Sequence, residues 1–362
     1  MSIWYKLSLI CSLLIAFQFF WPITSVSFLE IDEEVLGNLT SEQSPAPELI
    51  NTKTNVYFFG DIMLARDVER RMRQSGVDFP FAQFSIPSTS YAVANFESAI
   101  PETHVPTANN TFRFSTPVAS LEAVAAAGFT HLGLANNHTF DFGLAGYNHT
   151  VSAVWDRGLV PFGHPSVVSE PSYTVIEVDD KEVGVLALHT LYSYPTKETL
   201  APVFQVMQEE TDIQVAYVHW GEEYVDTPTL AQRNFAKLLA ELGIDLVIGH
   251  HPHVVQGLEM IENTLIVYSL GNFIFDQYFS LAVQQGLVTK LVLGEQNYLE
   301  IIPVSSLETR NQPTQMSAQN KAEFLEYLAS ISDPSLKESI LLGRVPLASL
   351  LAITPEVVIM TE

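Results

Sequence analysis

Residues 244–276 read IDLVIGHHPHVVQGLEMIENTLIVYSLGNFIFD. The largely apolar run from Ile244 to Ile248 stops at Gly249, and His250, His251 and His253 follow at once. A short apolar run closed by glycine is the pattern of a buried strand handing its last residues to a loop. Imidazoles placed there stand on rigid backbone at the edge of a core, where a metal or a substrate is held. The competing reading is an exposed His-rich turn without a role. The second half of the stretch, LEMI then ENT then LIVYSL, has the form of a hairpin turning at Glu262-Asn263, and it leads into Gly271-Asn272-Phe273-Ile274-Phe275-Asp276.

Polar groups recur where other apolar runs end. Upstream, an apolar strand over 212–218 runs into His219-Trp220-Gly221-Glu222-Glu223-Tyr224. A helix over about 229–242 follows, with Leu230, Phe235, Leu238, Leu239 and Leu242 at helical spacing. Nearer the start, Asn55–Phe59 ends at Gly60-Asp61, and the segment LARDVERRMRQ reads as a helix up to Gly76. Asp61 in that position either caps the helix or ligates a cation at the carboxyl end of the strand. Tyr91–Ala94 leads into Asn95-Phe96-Glu97, where Asn95 and Glu97 point the same way in an extended chain. A helix is expected from Pro117 to Ala127, capped by Thr116. THLGLA then ends in Asn136-Asn137-His138, with Asp141 just beyond and a helix over about 145–157. Strands alternating with helices predict parallel sheet in a layered α/β or α+β fold.

The remaining segments carry less chemistry. Residues 173–178 and 183–188 form a hairpin pattern, 189–211 read as a loop or lid, and 286–293 and 298–306 read as strands. A helix over 317–331 would bury Phe324, Leu325, Tyr327 and Leu328 as core.

At 362 residues and 47% hydrophobic, the chain can bury one large core or two smaller ones. Acidic residues outnumber basic ones 41 to 17, for a formal charge of −24. Such a surface repels nucleic acid and anionic headgroups, so nucleic acid is excluded as a partner. The one cysteine, Cys11, lies in an apolar N-terminal stretch, so a metal here must use His, Asp, Glu or Asn. That stretch, residues 7–29, carries no charge and is long enough to cross a bilayer as a helix. Lys6 before it favours an inside N-terminus. An uncleaved anchor is preferred over a cleaved signal ending near Ser25-Val26-Ser27. The expected plan is an anchor at 1–29, a linker at 30–54, a main domain at 55–310 outside the cytoplasm, and a helical extension at 311–362.

Singly, each strand-end group has a plain explanation; a lone His219 before a tryptophan is commonly a hydrogen-bonded core histidine. Together, Asp61, Asn95, Glu97, Asn137, His219 and the 250–253 histidines form a mixed oxygen and nitrogen set suited to one or two divalent ions, Mn, Fe or Zn. His138, one residue past a candidate ligand, suits a general acid or an oxyanion stabiliser.

The segments FFGDIMLARDV, ANFES, LGLANNHTFDFG, VHWGEEY, GHHPHVVQGLE and YSLGNFIFDQ, in this order, resemble the CapA family of capsule-synthesis proteins associated with poly-γ-glutamate. The resemblance covers about 55–290 and implies an α+β, four-layer αββα sandwich of the calcineurin-like metallophosphoesterase type, here behind an N-terminal transmembrane helix. It implies Asp61, Glu97, Asn137, His219, His251 and His253 as metal ligands and His138 as the catalytic group. Asn95, Asn136, His250, Glu223 and Asn272 would touch substrate. Two departures stand out: Met63 replaces the histidine that phosphoesterases carry two residues after the aspartate, and Glu97 stands where their bridging aspartate would be.

Three functions follow as expectations. The first is a membrane-held factor for synthesis or export of poly-γ-glutamate or a similar envelope polymer, alongside other capsule-synthesis membrane proteins. The second is a metal-dependent hydrolase of an envelope phosphoester or amide. The third is a non-enzymatic subunit of a membrane assembly. An acidic protein handling a polyanion is electrostatically awkward unless metal ions bridge the two.

Overall fold

The computed structural model describes residues 54–109, 111–169 and 172–347. The apolar segment 7–29 and the linker lie outside the described residues. Among those described, no helix is long and apolar enough to cross a membrane.

Fifteen strands and seven helices are described. The strands are β1 (Asn55–Ile62), β2 (Ser90–Phe96), β3 (His131–Gly133), β4 (Val160–Phe162), β5 (Tyr173–Val178), β6 (Lys181–His189), β7 (Ile213–His219), β8 (Leu246–His250), β9 (Val255–Ile261), β10 (Thr264–Leu270), β11 (Asn272–Ile274), β12 (Gln285–Val292), β13 (Tyr298–Ser305), β14 (Thr314–Gln315) and β15 (Arg344–Pro346). The helices are α1 (Arg66–Ser75), α2 (Ser120–Ala126), α3 (Gly143–Trp155), α4 (Lys197–Glu210), α5 (Leu230–Glu241), α6 (Ala318–Ser330) and α7 (Lys337–Leu341). One sheet runs β14-β13-β12-β1-β2-β3-β4, with β11 added at β1 and β15 at β13. The other runs β5-β6-β7-β8-β10-β9. Strands β1 to β4 are mutually parallel, as are β6 to β8.

Strict alternation along the strands builds the layers. Val56 and Phe58 of β1 join Val185 and Ala187 of β6, Val215 and Tyr217 of β7, and Ile248 of β8 in a core between the sheets. Tyr57 and Phe59 point the other way, onto Val68 of α1, Leu121 of α2 and Val154 of α3. Leu188, Val218 and Val247 meet Phe204 of α4 and Phe235 of α5 on the far side of the second sheet. Strands buried on both faces must read as continuous apolar runs, which is why they stand out in the sequence.

Several expectations need correcting. Asp61 caps no helix: α1 begins at Arg66 behind Ala65. Helix α2 starts at Ser120, not at Pro117 with Thr116 as cap, because tight bonds from Ser120 N to Pro117 O and Leu121 N to Val118 O make a separate turn first. The segment 189–211 contains α4, capped by Thr196 and carrying Pro202 inside it, a residue that argues against a helix on propensity alone. On α6, Phe324, Leu325 and Leu328 are buried but Tyr327 is exposed. Residues 311–347 add α6 and α7, and pair β14 and β15 onto β13.

Candidate metal centre

Two rows of residues meet where the parallel strands of both sheets end. In the second sheet His189, His219 and His250 are register partners across β6, β7 and β8. Each has the parity of the inward residues before it, so the three imidazoles face the first sheet. In the first sheet Asp61 is flanked in register by Asn95 of β2 and Asn272 of β11.

Asp61 reaches this face through an irregularity. Uninterrupted alternation would group it with Tyr57 and Phe59 under the helices. The register shifts between Phe59 and Asp61, so that Gly60 is an extra residue and Asp61 turns inward. Gly60 also lies against β11: a Cβ there would stand 2.0 Å from the Gly271 carbonyl oxygen. Gly249 serves likewise beside β10, where a Cβ would stand 2.0 Å from Tyr268 O. Past β8 the chain turns with His251 at φ 95° and His253 at φ 57°, left-handed values uncommon for non-glycine residues and frequent at functional sites.

The groups interlock. Asn95 Nδ2 donates to Asp61 Oδ1 at 2.8 Å and lies 3.2 Å from His219 Nδ1 and 3.4 Å from Glu97 Oε2. Asp61 Oδ2 accepts from His251 N at 3.3 Å and stands 3.2 Å from His253 Nδ1. His250 Nδ1 is 3.6 Å from Asp61 Oδ1. Glu97 Oε1 lies 3.6 Å from His253 Nε2 and 3.9 Å from His138 Nε2. Ligand atoms of Asp61, Glu97 and His219 lie within 4.8 Å of one another, and so do those of Glu97, His251 and His253. Glu97 belongs to both groups and therefore stands between them. The donor set fits divalent ions because Glu97 Oε1, His251 Nδ1 and both ring nitrogens of His250 are buried without a hydrogen-bond partner. Unpaired buried groups of this kind are costly unless a cation or water completes them.

The electrostatics point the same way. Burial opposes the Asp61 charge, but the His250 and His253 imidazoles beside it outweigh burial and hold the carboxyl well below its usual range. Burial, reinforced by the charge of Asp61, pushes the Glu97 carboxyl well above its usual range. Burial lowers His219 and His250, and burial with His253 lowers His251 to about 3. These imidazoles are neutral near pH 7, as metal ligation requires.

The other predicted residues take varied places. His138 Nδ1 pairs with Asp141 Oδ2 at 2.9 Å, and its ring stacks on Phe114 at 3.9 Å. Asn137 Oδ1 is 2.8 Å from His219 Nε2, so it orients that ring. Asn136 is fully buried, donating to Asn95 Oδ1 and Phe96 O while its own oxygen accepts from His138 N and Thr139. Asn272 is tied to the turn that carries His253: its oxygen lies 2.9 Å from His253 Nδ1, and its amide donates to His253 O, Gln277 and Val283 O. Its work is to hold His253. Glu223 stands in the wall of an adjoining cleft. Met63 is turned away from the site into the core under α1.

Two features escaped the sequence reading. His189 joins the imidazole row, with Nδ1 2.7 Å from Pro165 O and Nε2 buried without a partner. The signal was present, a histidine closing the apolar run VGVLAL, but no polar cluster followed it. The second is a set of arginines beside the centre. A cleft of about 480 Å³ is shared by His138, His253 and Glu223 with Arg66, Arg70, Arg71 and Arg310. On a helix directly after the Asp61 segment the 66 and 70 spacing puts two of these side chains on one face, and that much was legible; Arg71, next in the chain to Arg70, was not placed by spacing.

A two-sheet α/β body with a buried carboxylate and imidazole cluster at its strand ends is thus the class of protein in hand. The family model described as "Bacterial capsule synthesis protein PGA_cap" matches residues 55–277, and the chain belongs to that family. It is 28% identical over 298 residues to "Capsule biosynthesis protein CapA" of Bacillus anthracis, covering 76% of this chain and 72% of that protein. It is 27% identical over 295 residues to "PGA biosynthesis protein CapA" of Bacillus subtilis, covering 76% and 78%. Among solved structures, a phosphatase from Mycoplasma pneumoniae aligns with TM-score 0.40 and 13% identity over 69% of this chain and 87% of that one.

Proposed function

We propose that the protein serves synthesis or export of poly-γ-glutamate or a similar anionic envelope polymer, and that one or two divalent ions at the strand-end centre take part. Family membership and the names of the two Bacillus relatives support the polymer context. The observation that carries the metal reading is Glu97: fully buried, common to both ligand groups, and with one oxygen unpaired. Asp61, Glu97 and His219 would hold one ion, and Glu97, His251 and His253 a second, in the manner of metallophosphoesterases of αββα build. Mixed carboxylate and imidazole donors suit Mn, Fe or Zn. Such ions polarise a phosphoryl or acyl oxygen and acidify water.

The chain's own residues do the rest. Asn95 and Asn137 fix His219, and Asn272 fixes His253, so ligand geometry is set before any ion arrives. The Asp141 carboxylate holds the Nδ1 proton of His138, which leaves Nε2 directed at the centre to take up or deliver a proton. That pair favours a second reading, hydrolysis of a phosphoester or amide in the polymer or its precursor. We place the domain outside the cytoplasm on an anchor at 7–29; retention in the pellet after carbonate extraction is expected, and a soluble mature chain beginning near Phe28 would reject it.

The test of the main reading is metal analysis of the purified chain, joined to complementation of a deletion strain. Near-stoichiometric Mn, Fe or Zn is expected, with polymer restored by the wild type and not by Glu97→Ala. A chain free of metal, or full rescue by Asp61→Ala, Glu97→Ala, His253→Ala combined, would refute it.

A further inference from the structure

Nine arginines occur in the chain, and four of them, Arg66, Arg70, Arg71 and Arg310, line the cleft that opens beside His138 and His253. In a chain with 41 acidic and 17 basic residues this is a local reversal of charge. The carboxylates present do not cancel it. Arg66 is paired with Asp276, and both are buried. Arg70 and Arg71 share the single carboxylate of Asp67, at 2.7 Å from Arg70 Nε and 3.0 Å from Arg71 Nε. Arg310 lies over the ring of Tyr278 at 4.5 Å and has no carboxylate partner among the described residues. Even Arg66 keeps a buried Nε without a partner while its guanidinium sits 4.4 Å from the centre of the Phe114 ring. With Asp276 counted against Arg66, Asp67 against Arg70 and Arg71 together, and Glu223 against Arg310, about one positive charge remains in the cleft.

The rim is aromatic and open. Phe112 is 77% exposed and Phe279 66% exposed, both lining the same cleft. Exposed large apolar groups beside guanidinium forks suit a ligand that alternates aliphatic segments with single negative charges. We propose that this cleft binds a run of carboxylates along an acidic, glutamate-like chain, and leads that chain to the metal centre. The inference rests on the polymer reading above and names the contacts that reading lacks: arginines, not only metal ions, reconcile an acidic protein with a polyanion.

The experiment uses the full chain in mild detergent, with a fluorescent γ-linked glutamate oligomer as probe and anisotropy as readout. The wild type is expected to bind it with affinity that falls as salt rises. Arg310→Gln touches only the Tyr278 ring and is expected to weaken binding about threefold, a partly exposed ion pair's worth. Arg70→Gln, Arg71→Gln and Arg310→Gln combined are expected to weaken it tenfold or more and to flatten the salt dependence. Unchanged binding in Arg310→Gln and in the combined variant would overturn the proposal, as would tighter binding of inorganic polyphosphate than of the glutamate oligomer. The same titration on Asp61→Asn, Glu97→Gln protein with a chelator separates the two readings. Binding retained there supports the cleft independently of any metal, and binding lost there overturns its assignment to the arginines.

Discussion

The two carboxylates of the centre should respond in opposite senses to amide substitution when metal is stripped. Both oxygens of Asp61 accept hydrogen bonds, Oδ1 from Asn95 Nδ2 and Oδ2 from His251 N. Asparagine would set an NH₂ against one of those donors, and it would remove the charge that His250 and His253 stabilise. Leaving a buried donor unsatisfied costs about 1–3 kcal/mol. At about 2 °C or more per kcal/mol in a domain this size, the metal-free Asp61→Asn protein should melt several degrees lower. Glu97 differs. Burial and then the Asp61 charge raise its carboxyl, so ionising it in the metal-free fold is unfavourable. Glutamine can still accept from Asn95 Nδ2 with one atom and place its NH₂ where Oε1 now has no partner. Metal-free Glu97→Gln should therefore melt at or above the wild type. With metal the order changes, because Glu97 serves both ligand groups. If its loss weakens binding a hundredfold, about 2.7 kcal/mol of metal-linked stabilisation disappears, or about 5 °C of the metal-induced rise in Tm. Thermal melts of the wild type and both variants, with chelator and with saturating Mn or Zn, measure all of this. A Glu97→Gln protein that melts well below wild type in chelator, yet keeps the full metal-induced rise, would refute the reasoning.

Three further outcomes are expected. Gly60→Ala should destabilise the fold by about 1–3 kcal/mol, a few degrees of Tm, and also deplete bound metal, because its Cβ would lie 2.0 Å from Gly271 O and displace the Asp61 turn; a melt with parallel metal analysis checks it. The metal-stripped protein should lose stability as pH falls from about 6.5 toward about 3, since His251, His219 and His250 stay neutral in the fold while the unfolded chain takes up protons. Glu97 acts with the opposite sign, holding its proton in the fold and costing stability as pH rises above the ordinary carboxylate range, and denaturant melts across pH on wild type and Glu97→Gln separate the two. If the centre hydrolyses aryl phosphates, His138→Gln should reduce the rate about 10²–10⁴-fold with metal content unchanged, as steady-state kinetics and metal analysis would show.

Much of this was legible in the sequence, for a physical reason. Strands covered on both faces, such as β7 and β8, must be apolar throughout, so they end abruptly and mark where a polar group is placed. Asp61, Glu97, His219, His251 and His253 were found that way, and the structure brings them together. What could not be read was register. That His189, His219 and His250 form one row depends on how β6, β7 and β8 slide against each other, and their separation along the chain says nothing of that. Roles within the cluster were equally hidden. Asn137 reads as a ligand and Asn272 as a substrate contact in the sequence, and only the structure shows that the oxygen of each lies against a histidine nitrogen. Helix α4 was missed because Pro202 outweighs, on local propensity, the burial of Leu200, Phe204 and Met207 that holds it in place.

The division of donors between the sheets carries a consequence for how the centre works. The first sheet supplies oxygen, from Asp61 and, just past β2, from Glu97, while Asn95 turns its amide nitrogen to the centre; the second supplies nitrogen, from His219 with His189 and His250 beside it, and from His251 and His253 on the turn that follows. Neither sheet holds a full ligand set, so affinity for a cation depends on the core between them. Tyr217 ties that core to the centre: its hydroxyl donates to Phe59 O at 2.6 Å across the sheets, and its ring lies 4.0 Å from that of His250. The bulge that turns Asp61 inward starts one residue after Phe59, so the cross-sheet bond and the redirected carboxylate are adjacent on one strand. An ion joining oxygen donors to nitrogen donors would therefore also clamp sheet to sheet, and metal binding and global stability should rise and fall together.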